Sequence, residues 1–482
     1  MDIKKTFKRI KQTLWKDEAC NTELQYMEQF SWILFLKYLN DLEVDRKSRA
    51  KIDEKDFKPL FDKKYRWESW ACPRNSDGSI DLKKELIEDD LIRFVSNELF
   101  PYFQNFKENS SDTKSFQYKL GQIFTQIKFT IESGNILRDV CDIVNTINFF
   151  SDSGTNQLGN LYEEEIKAMG NSGTSGGQYY TPRPLVDSIV KAINPSLNEK
   201  ILDPACGSGG FLISAYDFLY KSKSLTGAEF SNLQKDTLFG IEKIGIPFAI
   251  GNMNMIMHGI ETPNIIRDNA LREGGLEIGE DDRFDIILAN PPFGGDERNE
   301  IKMNFEYESG ETAYLFMQYF IKKLKTKGRA GIVIKNTFLS NPDAANIRKE
   351  LISSCNLHSI LHLPVVFTTA KVETVVLFFE KGDQTKRIWN YQLYLDRNIG
   401  KTNPLNKNDL EEFDSLFISK NETQNSWIIN VEDIDMETYD LSPANPNKPE
   451  EIIEKDPKII FDQLNEVNSE INKELEKLKN LL

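Results

Sequence analysis

The sequence predicts an α/β fold, a mostly parallel sheet with helices on both faces, preceded by an all-α N-terminal domain and followed by a C-terminal helical tail. Three observations predict it. Short apolar runs, Lys200–Asp203, Thr237–Glu242 and Phe284–Ala289, alternate with helical stretches and end in turns rich in glycine or polar residues. Residues 1 to about 155 carry helical periodicity and no glycine-rich turn. At the far end Ile460, Leu464, Val467, Ile471, Leu475, Leu478 and Leu482 recur at three- and four-residue steps, the narrow stripe of a coiled-coil helix.

In chain order, the first strong element is a helix marked by Leu24, Met27, Phe30, Trp32, Ile33, Leu34, Leu36, Tyr38 and Leu39. Leu91–Phe100 and Ile123–Ile131 read as two more helices, so chemistry alone predicts a bundle whose default role is packing. A loop at Ser151–Gly154 precedes a helix over Asn160–Met169. Gly170–Gly177 then reads as a flexible linker that orders when something binds.

The run Lys200 to Leu212 reads as a buried strand, a glycine-rich turn and a helix start, with Asp203, Cys206, Gly207, Ser208, Gly209 and Gly210 at the turn. Glycines there let the backbone bend sharply and approach a ligand without a Cβ clash. The spacing is neither the dinucleotide fingerprint nor a P-loop. A second strand ends at Glu242, a carboxylate suited to ribose hydroxyls, and a third strand-like piece ends at Asp268 and Asn269, suited to an adenine amino group. The most informative stretch is Asn290-Pro291-Pro292-Phe293. Two prolines stop a strand abruptly where open α/β sheets place their ligands. The Asn290 side-chain carbonyl and the Pro291 backbone carbonyl can converge there as two acceptors beside an aromatic platform, which suits an exocyclic amino group on a flat ring. The bland alternative is a Pro-rich turn after a buried strand.

Beyond Asn290 the reading continues with a glycine-containing loop, Gly294–Gly310, a helix Thr312–Lys325 and a strand Ala330–Ile334. His358–Leu363 and Thr374–Phe379 complete the sheet, and residues 386–449 form a β-containing extension. The basic cluster Lys322–Arg329 reads as a solvated helix end.

Taken together, the glycine turn, the acid-ended strands and the Asn-Pro-Pro-Phe motif resemble the S-adenosylmethionine-dependent amino-methyltransferases of DNA, N6-adenine class. Gln178-Tyr179-Tyr180-Thr181-Pro182-Arg183, placed just before the glycine-turn strand, narrows the resemblance to the modification subunits of type I restriction–modification systems. The resemblance implies a Rossmann-like methyltransferase domain over 156–385 with the 386–449 extension, a helical N-terminal domain over 1–155, and a docking helix over 450–482. It implies S-adenosylmethionine as cofactor, held by Asp203, Cys206–Gly210, Glu242, Asp268 and Asn269 under a lid formed by Gln178–Arg183. For Gln178–Arg183 a plain helix-capping turn is the alternative, and the two roles are compatible.

Composition agrees with such an enzyme. No stretch approaches the ~18 apolar residues of a membrane span, and the basic N-terminus has no apolar core, so it is not a secretory signal. The five scattered cysteines form no pair pattern and favour a reducing cytoplasm. The three histidines form no metal pattern, and no metal is expected. A formal charge of −15 would repel a phosphate backbone. The resemblance resolves this: double-stranded DNA is gripped mainly by a separate specificity subunit flanked by two modification subunits, with a restriction or motor subunit as a further partner.

The mechanism expected has the target adenine flipped out of the duplex and stacked on Phe293. Asn290 and the Pro291 carbonyl accept its N6 hydrogens, and positioning is the main catalytic contribution. Two neighbouring readings are a solitary or phage-defence adenine methyltransferase and a protein-glutamine N5 methyltransferase. The latter is shorter and lacks the lid.

Overall fold

The computed structural model describes residues 3–447 apart from short stretches, the longest being 171–179, and a few positions of the tail beyond. Nine strands form one sheet in the order β3-β2-β1-β4-β5-β7-β6-β8-β9. They are β1 Ile201–Asp203, β2 Leu238–Glu242, β3 Asn264–Arg267, β4 Phe284–Ala289, β5 Leu324–Lys335, β6 Cys355–Phe367, β7 Val372–Lys381, β8 Arg387–Gln392 and β9 Ser426–Asn430. The first five pair in parallel, with Ile201 facing Leu238 on one side and Ile286 on the other. Strand β7 runs antiparallel to both β5 and β6. The predicted extension is the far edge of this same sheet: β8 is parallel to β6, and β9 closes the edge antiparallel to β8.

The sheet is apolar on both faces, as buried parallel strands require. One face packs on Tyr314, Phe316 and Phe320 of the helix Thr312–Lys323. The other packs on Leu185, Val186 and Ile189 of the helix Arg183–Ile193 and on Phe211 and Leu212. The helix Gly245–Met257 is buried nearly all round, and its Ala249, Ile250 and Met253 join the core of the N-terminal bundle. The Tyr38 hydroxyl donates to the Ile256 carbonyl at 3.1 Å across that junction. The bundle and the sheet therefore share a continuous apolar seam.

Two expectations are corrected. Ile123–Ile131 is not a helix: the helix Phe116–Phe124 ends there, and the chain runs on without regular structure to Ser133. Buried polar side chains capture that segment. Glu28 accepts from the Lys128 N–H at 2.8 Å, Gln29 donates to the Lys128 carbonyl at 2.8 Å, and Asp17 accepts from the Ser133 N–H at 2.9 Å. These bonds satisfy the backbone groups that a helix would otherwise satisfy internally. The basic cluster Lys322–Arg329 is mostly strand β5 rather than a helix end, and at least three of its five charges are paired. Lys325 meets Asp285 at 2.9 Å, Lys327 meets Asp383 at 2.6 Å and Arg329 meets Glu199 at 2.8 Å.

Of the tail stripe, only Leu464, Val467 and Ile471 fall among described residues. Each is helical and about half exposed, and Ile460, Leu475, Leu478 and Leu482 lie outside the described residues.

Candidate active site

Strands β1 to β4 all end on one side of the sheet, so four turns meet there. The turn after β1 bends through Gly207 and Gly209, at φ +51° and +81°, a region that side chains other than glycine rarely adopt. Its shape is fixed from β2: Cys206 N–H donates to the Ile241 carbonyl at 3.1 Å, and Gly207 N–H donates to Glu242 Oε2 at 3.0 Å. Glu242 Oε1 accepts from Ile244 N–H at 2.7 Å. Glu242 thus braces the glycine turn while lining the cleft. Burial raises its carboxyl, with those N–H groups opposing the shift.

Asp203, at the end of β1, is buried and accepts from Ala205 N–H at 3.1 Å. Burial first, and then the nearby charge of Glu242, pushes its carboxyl up to about 8. A carboxyl held neutral by desolvation becomes ionised when a cation arrives beside it. Cys206 lies against Gly240, and burial, with Asp203 and Glu242, raises its thiol well above the ordinary range. A thiol so placed packs and is no nucleophile.

The turn after β3 completes the far wall. Asp268 lines the cleft and pairs with Arg272 at 2.7 Å, while Asn269 donates to Glu297 at 3.2 Å. Glu297 in turn meets Lys243 at 2.7 Å, a residue pair not anticipated from sequence. The cleft between these walls encloses about 230 Å³ and is closed in front by Asn290 and Pro292.

Of the segment Gln178–Arg183, Gln178 and Tyr179 lie outside the described residues; Tyr180, Thr181 and Arg183 line a cavity together with the glycine turn. Pro182 caps the helix Arg183–Ile193, as the capping reading expects. Arg183 is the clasp. It donates to the Gly210 carbonyl at 2.6 Å and, from Nε, to Glu163 Oε2 at 2.8 Å, with its Nη2 against Glu163 Oε1. Glu163 sits on the helix Thr155–Gly170, which also anchors Tyr162 to Ser31 of the bundle at 2.7 Å.

The motif after β4 is held from the lid. The Asn290 amide Nδ2 donates to Thr181 Oγ1 at 3.0 Å. Its Oδ1 is buried and accepts no hydrogen bond among the described residues. Pro291 is buried, and Phe293 is half-buried with its ring meeting Phe367 edge to face, centroids 5.0 Å apart. The site therefore combines a cleft for an elongated ligand, an unmatched carbonyl acceptor and a pair of aromatic rings. Glu163 and Phe367 were not found by sequence reasoning: Glu163 hides in a run of three glutamates, and Phe367 ends a long strand far along the chain. Among the described residues no group of His, Cys, Asp and Glu could hold a metal ion, and no helix is long and apolar enough to cross a membrane.

The fold is that of an S-adenosylmethionine-dependent methyltransferase, and its class is that of the N6-adenine DNA methyltransferases. Residues 153–455 match the family model described as N-6 DNA Methylase, and residues 3–144 match that of the HsdM N-terminal domain. The chain belongs to the methylase (modification) subunits of type I restriction enzymes and is an adenine-specific DNA methyltransferase. It is 32% identical over 501 residues to the type I restriction enzyme EcoEI methylase subunit of Escherichia coli, covering 100% of this chain and 98% of that one. A crystal structure described as a type I modification subunit, from Vibrio vulnificus YJ016, superposes with a TM-score of 0.81 at 32% identity, covering 92% of this chain and 96% of that one. A chain from a structural study of type I restriction–modification assembly and conformational transition gives 0.78 at 31%, covering 100% and 98%.

Proposed function

We propose that this chain transfers the methyl group of S-adenosylmethionine to N6 of an adenine flipped out of duplex DNA, at sites read by a separate specificity subunit. The observation that carries the reading is the buried, unmatched Oδ1 of Asn290 at the wall shared by the cofactor cleft and the lid cavity. A buried acceptor without a donor is unfavourable by about 1–3 kcal/mol, and an amino group on the substrate would satisfy it.

The residues present fit the cofactor. Asp203, the Cys206–Gly210 backbone and Glu242 would hold its methionine and ribose, with Asp268 and Asn269 at its adenine end and Tyr180–Arg183 above. Asp203, kept neutral by burial, fits an incoming ammonium cation. When bound, S-adenosylmethionine supplies an electrophilic methyl on a sulfonium. Phe293 offers a stacking face for the flipped base, with Phe367 buttressing its edge. Asn290 Oδ1 and the Pro291 carbonyl accept the two N6 hydrogens, which draws the nitrogen lone pair out of conjugation and aims it at the cofactor. Positioning, rather than a strong base, is the catalytic contribution.

The specificity subunit and DNA as partners are supported by the family and by the charge of −15, which leaves the phosphate grip to another chain. The exposed apolar positions Leu464, Val467 and Ile471 suit helix docking on such a partner. Work in the cytoplasm follows from action on DNA. The test is transfer from labelled S-adenosylmethionine to duplex DNA, by this chain alone and together with its specificity subunit. N6-methyladenine appears only with the partner, and Asn290→Ala abolishes it while cofactor affinity stays within a few-fold. Methylation retained in Asn290→Ala refutes the clamp; activity of the chain alone refutes the division of labour.

A further inference from the structure

A second cavity lies behind the cofactor cleft, and none of its central residues serves the transfer site. Among the described residues the connection from β3 to β4 contains only a 3-10 turn, Glu280–Asp282, so no helix covers that face of β1, β2 and β3. Instead, the helix Phe116–Phe124 of the N-terminal bundle faces it across about 540 Å³, a volume within the range of small-molecule sites. The floor is apolar and aromatic: Phe239 and Phe284 meet edge to face at 5.4 Å, flanked by Ile241 and by Ile266, which is half exposed.

The roof carries two groups without a protein partner among the described residues. Lys119 is 6% exposed and makes no ion pair or hydrogen bond among the described residues; the nearest charge acting on it is a second cation, Lys114. One turn on, Gln122 lines the same cavity with its Oε1 buried and accepting no hydrogen bond. Residues three apart share a helix face, so a donor cation and an acceptor look together onto the aromatic floor. Each is costly when left unmatched, and burial alone does not explain a lysine here, since a methionine would fill the space without the charge.

We infer that this cavity binds a small flat heteroaromatic anion of the nucleoside monophosphate class. The ring lies on Phe239 and Phe284, an exocyclic amino group of the ring donates to Gln122 Oε1, and the anionic group pairs with Lys119. The turn Asp268–Ala270 lines this cavity on one side and the cofactor cleft on the other. Occupancy is therefore read directly at the cofactor's adenine end, which makes the cavity a regulatory site. The regulatory role rests on the cofactor placement proposed above; the binding itself does not, and it is tested with the cleft filled.

The test is calorimetric titration of the full chain with adenosine 5′-monophosphate while S-adenosylhomocysteine saturates the cofactor cleft. One molecule binds per chain; Lys119→Met weakens it at least tenfold and Gln122→Leu several-fold. Both variants keep their methyl transfer and melt no lower than the parent, because each removes a costly unmatched group and neither removes a contact made within the protein. The inference is overturned by absence of binding once the cleft is filled, by unchanged affinity in Lys119→Met, or by equal affinity for inorganic phosphate, which would reduce the site to a bare anion contact. A melting temperature lowered by several degrees in Lys119→Met also overturns it, since that would reveal a structural partner for the ammonium.

Discussion

The Asn290 amide donates to the Thr181 hydroxyl at 3.0 Å, and the carbonyl of the same amide is left buried and unmatched. The Thr181 hydroxyl therefore decides which end of the Asn290 amide is left free. With Nδ2 held by Thr181, Oδ1 is the atom that the proposed transfer would present to an amino group. In that proposal one hydrogen bond would join cofactor closure to substrate recognition. Thr181→Val keeps the shape and removes the acceptor, so the amide is free to turn. A net hydrogen bond of about 1 kcal/mol predicts a fall in kcat of roughly five- to tenfold, with cofactor affinity within about twofold and with Thr181→Ser restoring the rate. Single-turnover methylation with the assembled complex measures this; equal rates in Thr181→Val would show that Asn290 is oriented otherwise.

Arg183 ties the lid to the helix Thr155–Gly170 through Glu163 and to the glycine turn through the Gly210 carbonyl. Both partners are largely shielded, with side-chain exposures of 23% and 13%. Removing one member of a shielded pair strands the other, at a cost approaching 3–5 kcal/mol where burial is complete. Glu163→Ala should raise the cofactor dissociation constant at least about tenfold and lower the melting temperature by a few degrees. Equilibrium binding of S-adenosylhomocysteine and thermal unfolding check it. An unchanged dissociation constant would mean that the clasp does not hold the lid.

Phe367 meets Phe293 edge to face at 5.0 Å. An aromatic pair of this kind contributes about 0.5–1.5 kcal/mol beyond area burial. Phe367→Ala should weaken the stacking platform without touching the cofactor cleft. The expected result is a loss of roughly three- to tenfold in the fraction of flipped target base, read from the fluorescence of 2-aminopurine at the target position. Cofactor affinity stays unchanged.

Much of this site was legible because its signals are local. The glycine turn of Cys206–Gly210, the acids closing β2 and β3, and the prolines ending β4 each announce a strand's end within a few residues. Contacts between distant segments were not legible. Glu163 finds Arg183, Thr181 finds Asn290 and Phe367 finds Phe293 only once the sheet orders its strands, and none of these residues is unusual in its own neighbourhood. The errors have the same origin. Ile123–Ile131 has helical periodicity, but Asp17, Glu28 and Gln29, about 100 residues earlier, offer its backbone other partners. The Lys322–Arg329 cluster looks solvated until Asp285, Asp383 and Glu199 are brought against it.

Asp203 gives a prediction in pH. Its folded value, about 8, lies above the ordinary 3.8, with burial as the first cause and Glu242 as a further one. A raised value means that the folded, cofactor-free protein favours the protonated form. That contribution to stability is full below about pH 4 and is lost progressively as the pH rises towards 8. The wild type should therefore lose stability relative to Asp203→Asn across this window, and the difference should level off above it. An ammonium beside Asp203 reverses the preference, so cofactor binding at about pH 6.5 should release up to about one proton. Calorimetry of S-adenosylhomocysteine binding in two buffers of different ionisation enthalpy counts that proton, and Asp203→Asn should abolish its release. Equal proton release in the variant would move the shifted carboxyl elsewhere, with Glu242, the other buried acid of the turn, as the group to change next.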